Sequence, residues 1–241
     1  MDFYSSIACY YDEIFPLKKS QLEFVRGYLK GKDDLILDAG CGTGNLADAL
    51  LKQNFEVIGA DLDESMIEIA RVKTQNKGEF HVCSLQNIAD VVKNKGEVSV
   101  IACTGNTFVH INSEDGSNKF LKNCYELLKP GGVLIIQILN YDFILSCKLP
   151  RLPVIETDSI RFDRYYHYPE HGRHIDFEGV LTVKKENKRI SEVIKLYPLK
   201  KQELIAKITD CGFSEYEIFG SFKKDPLDKN SLPLVMTAFK R

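Results

Sequence analysis

Within Asp38-Ala39-Gly40-Cys41-Gly42-Thr43-Gly44, glycines stand at alternate positions directly behind an acidic residue. The apolar run Leu35-Ile36-Leu37 leads into this stretch, and a helical pattern starts near Asn45. A buried strand thus enters a glycine-rich turn that opens a helix. Glycine lets a ligand lie against the backbone where any Cβ would intrude. The helix start offers unpaired N–H groups to ligand oxygens. Gly59-Ala60-Asp61 ends the next apolar run, and Asp61 lies about 20 residues past the loop, where a carboxylate accepts from both hydroxyls of a ribose. The pattern specifies a ligand that contains adenosine.

Glycine spacing discriminates weakly between adenosine ligands. Counted from Gly40, the dinucleotide fingerprint fails because its third glycine falls on Asn45. Counted from Gly42, the variant with a final alanine is met by Gly44 and Ala47. An NAD-dependent enzyme therefore stays open on spacing alone. Asp38 argues the other way: a carboxylate before the loop repels a pyrophosphate and suits a ligand carrying an ammonium and a sulfonium.

Asp38 to Gly44 resembles the first motif of class I S-adenosylmethionine-dependent methyltransferases. Asp61-Leu62-Asp63-Glu64-Ser65-Met66 resembles their second, and Leu127-Leu128-Lys129-Pro130-Gly131-Gly132 the turn before their fifth strand. The likeness runs from about Tyr10 to Tyr141. It implies S-adenosylmethionine as cofactor, with S-adenosylhomocysteine as product. It places Asp38, Gly40, Gly42 and Gly44 around the methionine part, Asp61 on the ribose, and Leu62 and Met66 beside the adenine. Ser84 falls where the family usually has an aspartate for the adenine amino group, and the Leu85 N–H meets the ring. Tyr10-Tyr11-Asp12, with Phe3-Tyr4 upstream, resembles an N-terminal lid, in which Tyr11 closes over the donor.

Cys103-Thr104-Gly105-Asn106-Thr107-Phe108-Val109-His110 follows the fourth strand, where the methyl group would lie. It lacks the Asp/Asn-Pro-Pro-Tyr/Phe pattern of enzymes that methylate nucleobase amines, and is similar to the glycine N-methyltransferase group. By that likeness Cys103 borders the cofactor, Asn106, Tyr141 and Tyr166 face the acceptor, and His110 is the candidate base, with Tyr11 beside it in the catalytic set. The acceptor is then a small molecule with an N or O nucleophile. RNA or protein methylation and a non-catalytic S-adenosylmethionine-binding module are the alternatives. Leu139 departs from the glycine enzymes, which have a carboxylate-gripping arginine there, so free glycine is not the expected acceptor.

These residues need elements to hold them. Apolar runs at Leu35–Leu37, Glu56–Ala60, Phe80–Cys83, Val98–Ala102 and Val133–Gln137 read as strands. Helical patterns cover Lys18–Leu29, Asn45–Gln53, Ser65–Thr74 and Lys119–Leu128. Alternation of this kind predicts a mainly parallel α/β sheet with helices on both faces. The resemblance implies a Rossmann-like seven-stranded sheet ending in an antiparallel hairpin. From Ile160 to Leu199 the text turns to period-two runs at Arg161–Tyr168, His174–Lys184 and Arg189–Tyr197, which predict a three-stranded antiparallel insertion. Lys200–Asp210 returns to helix before Gly212, and Glu215–Phe219 and Leu234–Phe239 close the chain as strands. The expected division is 1–145 with 200–241 as the methyltransferase domain and 146–199 as an inserted subdomain over the substrate site.

Bulk properties narrow the rest. A net charge of −2 offers no strong footprint for nucleic acid. No apolar run approaches the ~20 residues that cross a bilayer, and Met1 to Tyr11 lacks the pattern of a secretory signal, so the expected place is the cytoplasm. Cysteines 9, 41, 83, 103, 124, 147 and 211 are scattered, odd in number and without a C-x-x-C pair, and so are expected to be free thiols. His167, His171 and His174 straddle an expected hairpin turn without metal-ligand spacing, so no metal is expected. Oligomeric state is not legible.

Overall fold

The computed structural model describes residues 3–93 and 97–241. Met1, Asp2 and the Phe3 side chain, included in the N-terminal reading above, lie outside the described residues. The chain opens with α1 (Phe3–Ile7), a 3-10 turn, α2 (Tyr11–Ile14) and α3 (Lys19–Arg26). There follow β1 (Leu35–Ala39), α4 (Asn45–Leu51), β2 (Glu56–Asp61), α5 (Glu64–Lys73), β3 (Glu79–Val82) and β4 (Val98–Cys103). Next come α6 (Glu114–Leu127), β5 (Leu128–Leu139) and α7 (Tyr141–Ser146). A second sheet holds β6 (Ile155–Glu156), β7 (Ile160–His167), β8 (Ile175–Val183) and β9 (Lys188–Leu196). The chain then forms α8 (Lys201–Asp210), β10 (Glu215–Phe219) and β11 (Pro233–Phe239).

The main sheet has seven strands in the order β10-β11-β5-β4-β1-β2-β3. Strands β1 to β5 pair in parallel, whereas β11 runs antiparallel between β5 and β10. Every residue of β1 and β4 is buried, as expected where helices cover both faces. One face packs Leu37, Ile101, Leu134 and Ile136 under α6 and α8; the other packs Ile36, Val100 and Ile135 under α3 and α4. The order puts β4 and β2 on opposite sides of β1. The connections leaving β1 and β4 therefore diverge and open a crevice at their carboxyl ends.

Local chemistry explains the element ends. Asp63 caps α5, accepting from the N–H groups of Ser65 (2.9 Å) and Met66 (3.2 Å), so the helix starts at Glu64, one residue earlier than the pattern predicts. Gly212 ends α8 at a φ of +105°, a left-handed value that suits glycine. The turn at Lys129–Gly132 is drawn into β5, because the Gly131 N–H donates to Lys240 at 2.7 Å and continues the ladder with the chain's end.

The three expected strands of the second sheet are present, and a two-residue strand, β6, adds a fourth at the β7 edge. Residues 155–156 carry no alternation long enough to announce a strand. They pair because the adjacent stretch already runs beside β7, with Leu152 N–H donating to Arg164 O at 2.9 Å. Inward residues of this sheet enter two apolar clusters. Ile160, Phe162, Leu181 and Val183 pack on Ile7 and Ile14 of the N-terminal helices. Tyr166, Ile175, Phe177 and Leu196 join Tyr141 in the core of the main sheet.

Candidate active site

The loop after β1 has the backbone its glycines require: φ is +78° at Gly40, +52° at Gly42 and +76° at Gly44. Space demands them too. A Cβ on Gly40 would come within 2.3 Å of Thr107, and one on Gly42 within 3.1 Å of the Tyr11 ring. The N–H groups of Gly40 and Cys41 both donate to the carbonyl of Ala60, at 2.7 and 3.0 Å, which ties the loop to the end of β2. Asp61 then closes the link: its Oδ2 accepts from the Gly42 N–H at 2.8 Å and its Oδ1 from the Asp63 N–H at 3.1 Å.

Together these segments border a cavity of about 400 Å³, a size that suits a small molecule. Gly40, Gly42 and Tyr11 line one part of it. Asp61, Leu62, Met66, Ser84 and Leu85 line another, with Leu62 67% exposed at the mouth. His110 stands on the remaining wall.

The other residues singled out in the sequence do not line this cavity. Asp38 is buried beneath the loop, and Gly44 is packed against Ala70 and Phe80. Cys103 is fully buried in the core of the main sheet. Asn106, in a left-handed conformation, exchanges hydrogen bonds with the buried Tyr141 (3.0 Å from Nδ2) and accepts from the Leu139 N–H at 2.9 Å. Tyr166 lies buried in the same cluster as Tyr141, with its hydroxyl facing that of Tyr141.

Several wall residues carried no mark in the sequence. Thr107 fills the space above Gly40 and donates to Thr104 O at 2.6 Å. Asn112 and Gln86 come from loops after β4 and β3, and Ile194 and Lys195 from β9. Only the packing of the second sheet on the first brings β9 there, and no local pattern encodes it.

An N-terminal strap closes the cavity from the outside. Tyr4 Oη lies 3.0 Å from His110 Nε2, and Ser5 Oγ donates to Asp63 at 2.5 Å. Asp12 pairs with Lys73 at 2.6 Å and accepts from Thr43 of the glycine loop. Burial pulls the Asp12 carboxyl upward, but the bonds from Lys73 and Thr43 outweigh it and hold its pKa below the usual range. Burial, and then the nearby Asp61, push the Tyr11 phenol up, so it faces the cavity as a neutral ring and hydrogen-bond donor.

The electrostatics select against a pyrophosphate. Asp38 is pushed up to about 7, by burial first and then by the charge of Asp61, while the Ala47 N–H pulls the other way. Asp61 itself is raised by burial. Two carboxyls held above their ordinary range are relieved by a cation and worsened by an anion.

Comparison with known proteins agrees. A family model described as a methyltransferase domain matches residues 36–132. Over 211 residues the chain is 30% identical to the glycine/sarcosine N-methyltransferase of Halorhodospira halochloris, covering 83% of the chain and 73% of that relative. The chain belongs to the S-adenosylmethionine-dependent methyltransferases. It is also 30% identical over 229 residues to the glycine/sarcosine/dimethylglycine N-methyltransferase of Actinopolyspora halophila, where it matches 89% of its own length but 38% of that longer protein. The fold is similar to an S-adenosylmethionine-dependent methyltransferase from Clostridium acetobutylicum, with a TM-score of 0.79 and 99% of both chains covered at 18% identity.

The residues of the methyltransferase's cavity fit its cofactor. Loop glycines permit backbone contact, Asp61 offers a carboxylate on the cavity wall, and the acidic, pyrophosphate-averse setting suits a cationic donor. Among the described residues no cluster of three metal-ligating side chains occurs. His167 instead pairs with Glu178 at 2.9 Å, and His174 stacks edge-on against Tyr197. The seven cysteines are free thiols. Among the described residues no helix is long and apolar enough to cross a membrane.

Proposed function

We propose that this methyltransferase moves a methyl group from S-adenosylmethionine to a nitrogen or oxygen nucleophile of a small molecule. The observation that carries the reading is the shared cavity. Motif residues Gly40, Gly42, Asp61 and Met66 share its lining with Tyr4, His110, Asn112 and Ile194, which belong to no cofactor motif. When bound, the cofactor supplies a methyl group already activated on a sulfonium. The protein's work is then to align donor and acceptor and to exclude water.

Gly40 and Gly42 lie along the methionine part, with Asp38 beneath them. Asp61 accepts from the ribose hydroxyls, and Leu62, Met66, Ser84 and Leu85 enclose the adenine. Gly44 sets the start of α4, and Cys103 backs the site from the core. Tyr11 covers the donor. Asn106, Tyr141 and Tyr166 brace the acceptor side from behind the cavity wall, and residues 146–199 act as the subdomain that covers it. His110, oriented by Tyr4 at 3.0 Å, takes the acceptor's proton.

Two relatives are named for glycine and sarcosine, yet Leu139 puts a half-buried apolar side chain at the end of β5. A carboxylate at that spot would shed water with no cation to receive it, at a cost of several kcal/mol. Free glycine is therefore a poor acceptor. A net charge of −2 likewise disfavours a nucleic-acid substrate. The test is a methyl-transfer screen with labelled donor across amines, amino acids, phenols and RNA. Turnover on a small amine or phenol supports the reading. Activity on RNA alone that falls steeply with salt, or sarcosine formation above ~1 per second, contradicts it.

A further inference from the structure

Three rings run along the cavity wall from the glycine loop to His110. Tyr11 lies over Gly42, where a Cβ would come within 3.1 Å of its ring. Tyr4 meets Tyr11 with centroids 6.4 Å apart at 65°, and meets His110 at 5.5 Å and 72°. All three residues line the cavity. Rings inclined so steeply form the walls of a corner rather than a stack. The corner is braced from behind: Tyr11 packs on Phe15 at 5.1 Å, and Phe15 on Phe162 of β7 at 5.9 Å.

The charge around this corner is negative. Asp61 and Asp63 line the cavity, and neither forms an ion pair among the described residues. At the mouth, Leu62 and Asp63 are shared with an outer hollow of about 380 Å³, whose other walls are Ser5, Glu64, Ser65 and Glu68. Two lysines nearby are committed elsewhere. Lys73 meets Asp12 and Asn45 Oδ1, both at 2.6 Å. Lys195, the one lysine among the described lining residues, leaves β9 on the face opposite to Ile194, and its ammonium pairs with Asp176 at 2.8 Å. The upward push on the Tyr11 phenol, from burial first and Asp61 next, is what any further anion would meet there. Electron-rich rings and carboxylates both favour a cation.

We infer that the corner of Tyr4, Tyr11 and His110 is built for a cationic nitrogen: the acceptor is an alkylated amine without an acid group, and it leaves as a methylated ammonium. In the transfer the nitrogen lone pair forms the new N–C bond. The C–S bond breaks, and sulfur keeps its electron pair as a neutral thioether. Positive charge thus passes from sulfur to nitrogen, and the rings and carboxylates stabilise it where it arrives. A primary or secondary amine then gives its proton to His110, whereas a tertiary amine has none to give. An oxygen acceptor would gather negative charge beside Asp61 and Asp63, which oppose it. An acid group on the acceptor meets the same opposition, with Lys195 turned away and an apolar Leu139 at the end of β5.

The inference rests on the methyl-transfer reading above, and one set of measurements separates the two. Binding of choline and of its uncharged carbon isostere, 3,3-dimethylbutan-1-ol, is followed by calorimetry on protein saturated with S-adenosylhomocysteine. Transfer from labelled donor is measured with N,N-dimethylethanolamine, N,N-dimethylglycine and phenol. The expected result is that choline binds about 3- to 30-fold more tightly than the isostere, and that N,N-dimethylethanolamine is the preferred acceptor. Tyr4→Leu removes most of the choline preference. Tyr4→Phe keeps it, because the ring rather than the hydroxyl carries it. A purely structural role would weaken both probes together and leave their ratio alone. No binding of choline, equal binding of the two probes, an unchanged ratio in Tyr4→Leu, or preference for phenol or N,N-dimethylglycine overturns the cation corner and leaves the donor site intact. Failure of the unmodified protein to bind S-adenosylhomocysteine overturns the methyl-transfer reading itself.

Discussion

Asp61 holds the loop and the cavity at once, with one oxygen on the Gly42 N–H and the other on the Asp63 N–H. Its remaining lone pairs are those a ribose would use. Asp61→Ala is expected to weaken S-adenosylhomocysteine binding by about 1–3 kcal/mol, the worth of charge-assisted bonds in a partly dry site. Calorimetry reads this directly, and an unchanged affinity would remove Asp61 from the cofactor site. Asp38 offers a test through pH. Its folded pKa of about 7 stands above its ordinary value of 3.8. Below pH 4 both folded and unfolded chains carry the proton. Between pH 4 and 7 the unfolded chain ionises while the folded one resists, so stability is lost as pH rises through the folded pKa. Asp38→Asn removes that loss. The variant is expected to gain on the parent protein from pH 4.5 to about 7, and to hold a constant lead above that, in cofactor-free urea unfolding. A difference that is flat across that range would show that Asp38 ionises normally.

At the scale of elements, the N-terminal strap covers the cavity. It is attached by polar contacts at Ser5–Asp63, Asp12–Lys73 and Tyr4–His110, and by Ile7 and Ile14 in the cluster with the second sheet. The Asp12 carboxylate is 48% exposed, so its ion pair contributes at most about 1 kcal/mol. Replacing Ser5 and Asp12 together by alanine is thus expected to spare the fold but to loosen closure. S-adenosylhomocysteine should dissociate about 3- to 10-fold faster, with the urea midpoint nearly unchanged. Stopped-flow release that matches the parent protein would show that the strap does not gate the cavity.

For the whole molecule, the cavity draws on the main sheet, the strap and β9 together. A ligand there binds only the assembled chain and so stabilises all of it. At a hundredfold excess over Kd the gain is about 2.7 kcal/mol, or roughly 5–10 °C in Tm for a chain of this size. A thermal scan with and without S-adenosylhomocysteine measures it. NAD in place of S-adenosylhomocysteine should give no shift, because its pyrophosphate would be repelled by Asp61 on the wall and by Asp38 buried beneath the loop. A shift of equal size with NAD would reverse the assignment of the cofactor.

The glycine loop between β1 and α4 was legible in the sequence because its determinants are local. A strand, a glycine turn and a helix start lie within ten residues of one another, and backbone conformation forces the residue types, as the positive φ values at Gly40, Gly42 and Gly44 attest. Asp61 was legible for the same reason, since a βαβ unit returns the chain to the same edge at a set separation. The acceptor half was not. Ile194 and Lys195 reach the cavity only because one sheet packs on another and β9 takes its register from β8. Period-two alternation announced those strands, but it says nothing of which residues stand opposite one another, nor which face turns inward. Pairing and packing between segments far apart in the chain decided that, as they decided that Asn106 spends its side chain on Tyr141 and Leu139 rather than on the open cavity.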